Sequence, residues 1–421
     1  MLNFYRAASI VAGPAAGALL RWRASRGKED LSRLDERFGR PSRSRPFGVL
    51  VWVHAASVGE SLSVLPLIER MLDFIPNGHV LVTTGTLSSA RLLRDLLPEG
   101  AFHHFAPIDR PDAVRRFLDH WRPELAVWVE SELWPNLVRD THLRQIPTVL
   151  LQGRMSARSY RNWRWARSLI GPLLAGFNQV LVQTQADAGR FSDLGAVQPV
   201  VTGTLKYAGF PLAAKETALR EMQSMLGART RWLAASIHPG EFETVYQTHV
   251  QVRENFPDLL TIVVPRHPST AFELEKKWVS RGLSCSRRSA GTGLSPETEV
   301  YIADTMGELG LFYRLSAIAL IGGSFIDHGG QNPIEAVQIG CAVITGPSMF
   351  NFAEVMADFN LSGVSLSVGA SADLPEKVSE LLSAPEHIVS LAQQQKKIVT
   401  SKASVIDTVF EALICYLPTS E

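Results

Sequence analysis

The residues best suited to chemistry lie in 322–335, Gly-Gly-Ser-Phe-Ile-Asp-His-Gly-Gly-Gln-Asn-Pro-Ile-Glu. They follow the apolar run Ala317–Ile321, and Asn332, Pro333 and Glu335 stand at N-cap, N1 and N3 spacing. A glycine-rich loop between a strand and a capped helix presents backbone N–H groups, here those of Gly323, Ser324 and Gly330, to an anion such as a phosphate. Glu335, one turn into the helix, is placed either to meet the hydroxyls of a ribose or simply to close a capping box. Charged and polar residues recur after other apolar runs. They are Ser57, Gly59 and Glu60; Glu130; Ser236, His238 and Glu241; Arg266 and His267; and Asp304, Gly307 and Glu308.

Short β-branched runs alternating with amphipathic stretches would position them. The strand candidates are 49–54, 79–84, 125–129, 147–152, 179–184 and 199–202, then 231–236, 259–264, 299–303, 317–321 and 342–345. Continuous apolar strands of this kind belong to parallel sheets covered on both faces. The expected fold is α/β, with two doubly wound Rossmann-like domains facing a cleft and ligands at the carboxyl ends of the strands. The expected division is an amino-terminal segment over 1–24, a domain over 25–207, a second over 208–395, and a closing helix over 396–421, with the hinge near Gly209-Phe210-Pro211.

A length of 421 residues favours two cores over one. The net charge of +1 gives no pull toward nucleic acid. Cys285, Cys341 and Cys415 show no metal or redox spacing and read as reduced core cysteines. There is no Walker loop, GxGxxG, HExxH or DxD, so no cofactor and no metal is expected. Residues 7–20 carry no charge, whereas residues 21–45 carry nine Lys or Arg against four acids. As one helix, 7–20 spans roughly 21 Å, short of the ~30 Å hydrocarbon core. The segment reads as membrane-associating, either spanning or lying shallow. A cleaved signal peptide is the alternative, and the basic run behind the segment opposes it.

Taken together, the motifs resemble the Kdo transferases, which add 3-deoxy-D-manno-octulosonic acid (Kdo) to a lipid A precursor. The matching text is VHAASVGE at 53–60, ESELWPNL at 130–137, RMSARS at 154–159, VTGTLKY at 201–207, HPGE at 238–241, VPRHP at 264–268, DTMGELGLFY at 304–313, and GGSFIDHGGQNPIEA followed by GPSMFNF at 346–352. The resemblance implies an inverting glycosyltransferase of GT-B architecture in lipopolysaccharide biosynthesis. It would bind CMP-Kdo on the carboxyl-terminal half and the lipid A precursor on the amino-terminal half, at the cytoplasmic face of the bacterial inner membrane. Lys206, Arg266 and His238 would face the doubly anionic donor, with Asn351 and the 322–335 loop beside them. Glu36, in Leu34-Asp-Glu-Arg-Phe-Gly39, would be the general base, with Glu130 the second carboxylate. Ser57, Gly59 and Glu60 would meet the acceptor. Arg154, Arg158 and Arg161, on one face of a helix with Trp163 and Trp165 interleaved, would meet its anionic headgroup. The chain departs from the usual family text at Thr204, Ile237, Gln331 and Ala336. Gln331 donates a hydrogen bond but carries no charge, so a changed sugar or acceptor preference is the alternative.

Overall fold

The computed structural model describes residues 1–291 and 293–417 and divides into two α/β units. The first runs from Met1 to Gly209 and resumes at Ala403; the second is Phe210–Lys402. In the first unit, β1 (Leu50–His54), β2 (His79–Thr84), β3 (Ala101–Phe105), β4 (Leu125–Val129), β5 (Thr148–Gly153), β6 (Gln179–Val182) and β7 (Val200–Val201) form one sheet. Its order is β3-β2-β1-β4-β5-β6-β7, and every pairing is parallel. Alternation along the strands divides the core. Leu50 and Trp52 of β1 join Ala126 and Trp128 of β4 on one face, with the Trp52 and Trp128 rings 4.8 Å apart. Val51 and Val53 join Val127 and Val129 on the other. The Pro111–Trp121 helix covers the first face, and the Val58–Phe74 helix covers the second.

The second unit repeats the plan with β8 (Arg231–Ile237), β9 (Leu260–Pro265), β10 (Cys285–Arg287), β11 (Val300–Ile302), β12 (Ile318–Ile321), β13 (Ala342–Thr345) and β14 (Leu366–Ser367). Its order is β10-β11-β9-β8-β12-β13-β14, again wholly parallel. In both sheets the chain starts at a central strand and later crosses to its other side, between β1 and β4 and between β8 and β12; in the second sheet β11 also inserts between β9 and the edge strand β10. Those switch points are where such sheets leave a crevice for ligands.

The amino terminus differs from a single apolar helix. It forms α1 (Leu2–Val11) and α2 (Gly13–Ser25), parted at Ala12. Pro14 lies in the first turn of α2, where its missing N–H costs nothing, and it could not continue α1. No helix among the described residues is long and apolar enough to cross a membrane. At the other end, residues 396–402 complete the Pro385–Lys402 helix of the second unit, and a separate helix, Val405–Ile414, buries Val405, Val409, Phe410 and Leu413 in the first. Of the three cysteines only Cys341 is a core residue; Cys415 is exposed.

Candidate functional site

At the first switch point the chain leaves β1 through Ala55 and starts the Val58–Phe74 helix at Ser57. Ser57 Oγ accepts the Glu60 N–H at 3.3 Å and donates to Glu60 Oε1 at 2.8 Å; Glu60 Oε2 accepts the Ala56 N–H at 2.7 Å. This is a capping box. Glu60 is buried, and Gly59 beside it is exposed. Burial, followed by the charge of Glu130, raises the Glu60 carboxyl to about 7, with Glu132 adding to the rise. Glu132 is itself raised, by burial and by Glu130, although Trp134 opposes it. Glu130 follows β4 at φ 60°, a strained left-handed backbone for a non-glycine residue, with its N–H on the Leu151 carbonyl at 2.8 Å. Three carboxylates from two strand ends are therefore coupled electrostatically.

Glu36 occupies a different environment. It is 1% exposed, and its oxygens accept four hydrogen bonds: Arg33 Nε at 2.9 Å, Arg33 Nη2 at 2.8 Å, Ser42 Oγ at 2.6 Å and the Phe105 N–H at 2.8 Å. Burial alone would raise its carboxyl, but Arg33, His104, Ser42 and Phe105 outweigh burial and hold it below the usual range. Every lone pair is committed to the fold.

The remaining first-unit candidates are dispersed. The helix expected to align Arg154, Arg158 and Arg161 begins only at Ala157, capped by Ser156; Arg154 precedes it, its carbonyl bonded by Ser131 Oγ. Arg158 and Arg161 are exposed, Trp163 packs against the core, and Trp165 is 90% exposed. Lys206, expected to face the donor, lies in the first unit, within the 25–207 span expected of that domain. It lies in the Leu205–Ala208 turn, which packs on the Val58–Phe74 helix. Gln152 pins that turn by binding the Gly203 carbonyl at 2.9 Å and the Leu205 N–H at 2.7 Å.

At the second switch point the glycine loop departs from expectation. The N–H groups of Gly323, Ser324 and Phe325 do converge on an anion, but it is the Glu241 carboxylate, at 2.7, 3.0 and 3.0 Å. Glu241 also accepts the His238 N–H at 3.1 Å and is wholly buried. The Gly330 and Gln331 N–H groups are spent on the Gly323 and Gly322 carbonyls. The helix beyond spans only Ile334–Ile339. Asn332 caps it through Ile334 N at 3.1 Å and donates to Glu335 Oε1 at 3.0 Å; burial raises the Glu335 carboxyl against Asn332 and Arg266. A Cβ on Gly322 would lie 2.3 Å from the carbonyl oxygen of Ser236, which has φ 56°. The ends of β8 and β12 therefore touch backbone to backbone.

Asp304 and Glu308 are also committed. Asp304 accepts Ser289 N at 2.8 Å, Ser289 Oγ at 2.6 Å and Arg287 Nη1 at 3.2 Å, while Glu308 takes Arg288 bidentately at 2.6 and 2.5 Å. Gly307 supplies the left-handed turn at φ 81°. Asn351 grips the loop from outside, its N–H on the Gly329 carbonyl at 3.0 Å and its Nδ2 on the His328 carbonyl at 2.9 Å. A histidine cluster beside Arg266 remains accessible. His238 packs 4.4 Å from His328 and 6.1 Å from His267, Gln331 Nε2 bridges His238 Nε2 at 3.2 Å and His328 Nε2 at 3.0 Å, and Arg266 is exposed beside them. Burial, then the neighbouring charge of His328, lowers the His238 imidazole. Among the described residues no three His, Cys, Asp or Glu side chains gather as a metal site would.

Comparison with known proteins decides what these sites belong to. Residues 32–209 match the family model described as 3-deoxy-D-manno-octulosonic-acid transferase (kdotransferase). An Arabidopsis thaliana protein, named a probable mitochondrial 3-deoxy-D-manno-octulosonic acid transferase, is 37% identical over 96% of this chain and 93% of its own. The chain belongs to the Kdo transferase family. The 3-deoxy-D-manno-octulosonic acid transferase of Haemophilus influenzae is 31% identical to this transferase over 91% of each chain. A UDP-GlcNAc 2-epimerase structure from Neisseria meningitidis covers 87% of the transferase and 100% of itself at TM-score 0.61; at 11% identity it shares the fold alone. The transferase is thus a glycosyltransferase built from two parallel-sheet α/β units of GT-B type. Its carboxylate-rich switch point lies in the first unit, and its histidine–arginine switch point lies in the second.

Proposed function

We propose that this transferase moves Kdo from CMP-Kdo to a lipid A precursor with inversion and without a metal ion, and that Glu60 is the general base. The carboxyl of Glu60, lifted to about 7 by burial and by Glu130, supports this reading most strongly. A base working at neutral pH needs a proton affinity near the operating pH, and burial together with Glu130 and Glu132 pushes the Glu60 carboxyl toward that range. Glu36 is held low by four donors and suits a structural role. In the proposed step the acceptor hydroxyl passes its proton to a Glu60 oxygen as that hydroxyl bonds to the anomeric carbon of Kdo. The carbon–oxygen bond to CMP breaks, and the electron pair leaves on the phosphate. Arg266 and the His238–His328–Gln331 cluster in the second unit are the groups proposed to hold the donor's negative charge.

The helices α1 and α2 support membrane attachment at the cytoplasmic face of a bacterial inner membrane. Leu2, Tyr5, Arg6 and Ser9 turn inward, whereas Phe4 and Val11 are each 80% exposed, with Leu19 and Trp22 outward on α2. An apolar outer face flanked by Arg21 and Arg26 suits a helix pair lying in the interface rather than spanning it.

The test is to incubate the protein with a CMP-Kdo generating system and tetra-acylated lipid A precursor, with and without EDTA, and to weigh the product by mass spectrometry. Wild type is expected to add Kdo in both conditions. Glu60→Gln is expected to lower kcat by roughly 10²–10⁴ with KM little changed. Glu36→Gln is expected to lower the yield of folded protein more than the activity per folded molecule. Full activity of Glu60→Gln would remove Glu60 from the base role.

A further inference from the structure

The first unit carries a charged groove that the transfer chemistry does not use. It has a volume of about 580 Å³ and lies where α1 meets the Pro111–Trp121 and Pro135–Leu143 helices. Five arginines, Arg6, Arg110, Arg115, Arg139 and Arg144, line it against two aspartates, Asp112 and Asp140, an excess of three positive charges. The aspartates organise the arginines without neutralising them. Buried Asp140 receives Arg6 at 3.0 Å and Arg139 at 2.7 Å, and Asp112 receives Arg110 and Arg116. Arg144 is held at 2.6 Å by Asp119 outside the groove, and Arg115 is exposed. Arg110 passes across the start of α2, where a Cβ on Gly13 would stand 2.5 Å from its Nη1. Guanidinium groups fixed in this way suit the tetrahedral oxygens of a phosphate.

The rim identifies what carries the phosphate. Ile10 and Leu143 line the same groove and are 53% and 64% exposed. Ile10 lies beside Val11, within the apolar outer face of α1. A nucleotide or sugar phosphate would leave these side chains in water, whereas a lipid would cover them with its acyl chains. We propose that the groove binds the headgroup phosphate of an anionic glycerophospholipid and thereby sets the first unit on the membrane. The proposal rests on the membrane attachment argued above and adds a defined lipid site to it.

The test is cosedimentation with vesicles of phosphatidylcholine, with and without about one-third phosphatidylglycerol, for three proteins. They are wild type, Arg115→Gln/Arg139→Gln in the groove, and Arg91→Gln/Arg94→Gln on the Leu87–Leu96 helix as a charge-matched control. A basic residue at an anionic leaflet is worth roughly fivefold in partitioning, so the groove pair is expected to lose about tenfold or more on phosphatidylglycerol and the control less than twofold. Monomeric dihexanoyl phosphatidylglycerol is expected to titrate wild type saturably and the single variant Arg115→Gln weakly, with inorganic phosphate at equal concentration failing to compete. Equal losses for the groove and control pairs would overturn the proposal, as would competition by inorganic phosphate or a wild type indifferent to phosphatidylglycerol. Transfer to a deacylated, water-soluble acceptor is expected to be unchanged in the groove pair. A wild type that transfers to this acceptor but ignores phosphatidylglycerol sinks the groove and spares the transfer reading. A wild type that prefers phosphatidylglycerol but transfers nothing does the reverse.

Discussion

Glu36 and Glu60 are both buried glutamates, yet their surroundings drive their carboxyls in opposite directions. Arg33, Ser42 and the Phe105 N–H all stabilise the charged form of Glu36. Glu60 has two donors, Ala56 N and Ser57 Oγ, and two acidic neighbours that penalise its charge. The sequence displays the arginines around Glu36, and so an ion pair, but not Ser42 folding back or β3 offering Phe105. Nor can it reveal that Glu130 and Glu132, from the end of β4, reach the field of Glu60, because that depends on β4 pairing with β1. A stability prediction follows from the raised carboxyl. The folded chain holds the Glu60 proton up to about 7, whereas the unfolded chain releases it near 4.5. The folded state therefore binds more protons between those values, and stability falls as pH rises through that window, by up to ~3 kcal/mol. Urea unfolding at pH 5 and pH 8 is expected to show that loss in wild type and not in Glu60→Gln.

Among the elements, eleven strands were legible because each is a short apolar run. The three that were not are β3, β10 and β14. β3 reads Ala-Phe-His-His-Phe and draws its stability from pairing with β2; β10 is Cys-Ser-Arg and β14 has two residues, so neither carries a hydrophobic pattern. The glycine loop was legible as an anion-binding loop but not as an occupied one. Its occupant, Glu241, comes from the turn after β8, and only the β8–β12 pairing brings them together. Glu241 ties the ends of both strands, so Glu241→Gln trades two acceptor oxygens for one and places an amide donor against N–H groups. An expected cost of about 2–4 kcal/mol follows for the second unit, read by chemical denaturation, with hydrogen exchange accelerated first at Gly323–Phe325. Unchanged exchange there would show that the nest holds without the carboxylate.

For the molecule as a whole, the chain enters the second unit after Gly209 and returns at Ala403, so the two units differ in continuity. Residues 210–402 contain a complete seven-stranded sheet. The first unit depends on the returning helix, whose Phe410 meets Phe74 at 5.5 Å between ring centres. A fragment of 210–402 is expected to unfold cooperatively by itself. A fragment of 1–209 lacks the burial of Val405, Val409, Phe410 and Leu413, on the order of 5 kcal/mol, and is expected to need the carboxyl-terminal peptide for folding. Two domains were legible from length and from the repeated strand pattern; the return crossing was not, because 396–421 reads simply as helical. In the proposed transfer, Glu60 accepts the acceptor's proton. The most direct measurement is the single-turnover rate of Kdo transfer between pH 5 and pH 9, for wild type and Glu60→Gln. The wild-type rate should climb tenfold per pH unit below about 7 and level above it, and the variant should be slow and flat. A variant that keeps the wild-type profile would remove Glu60 from the base role.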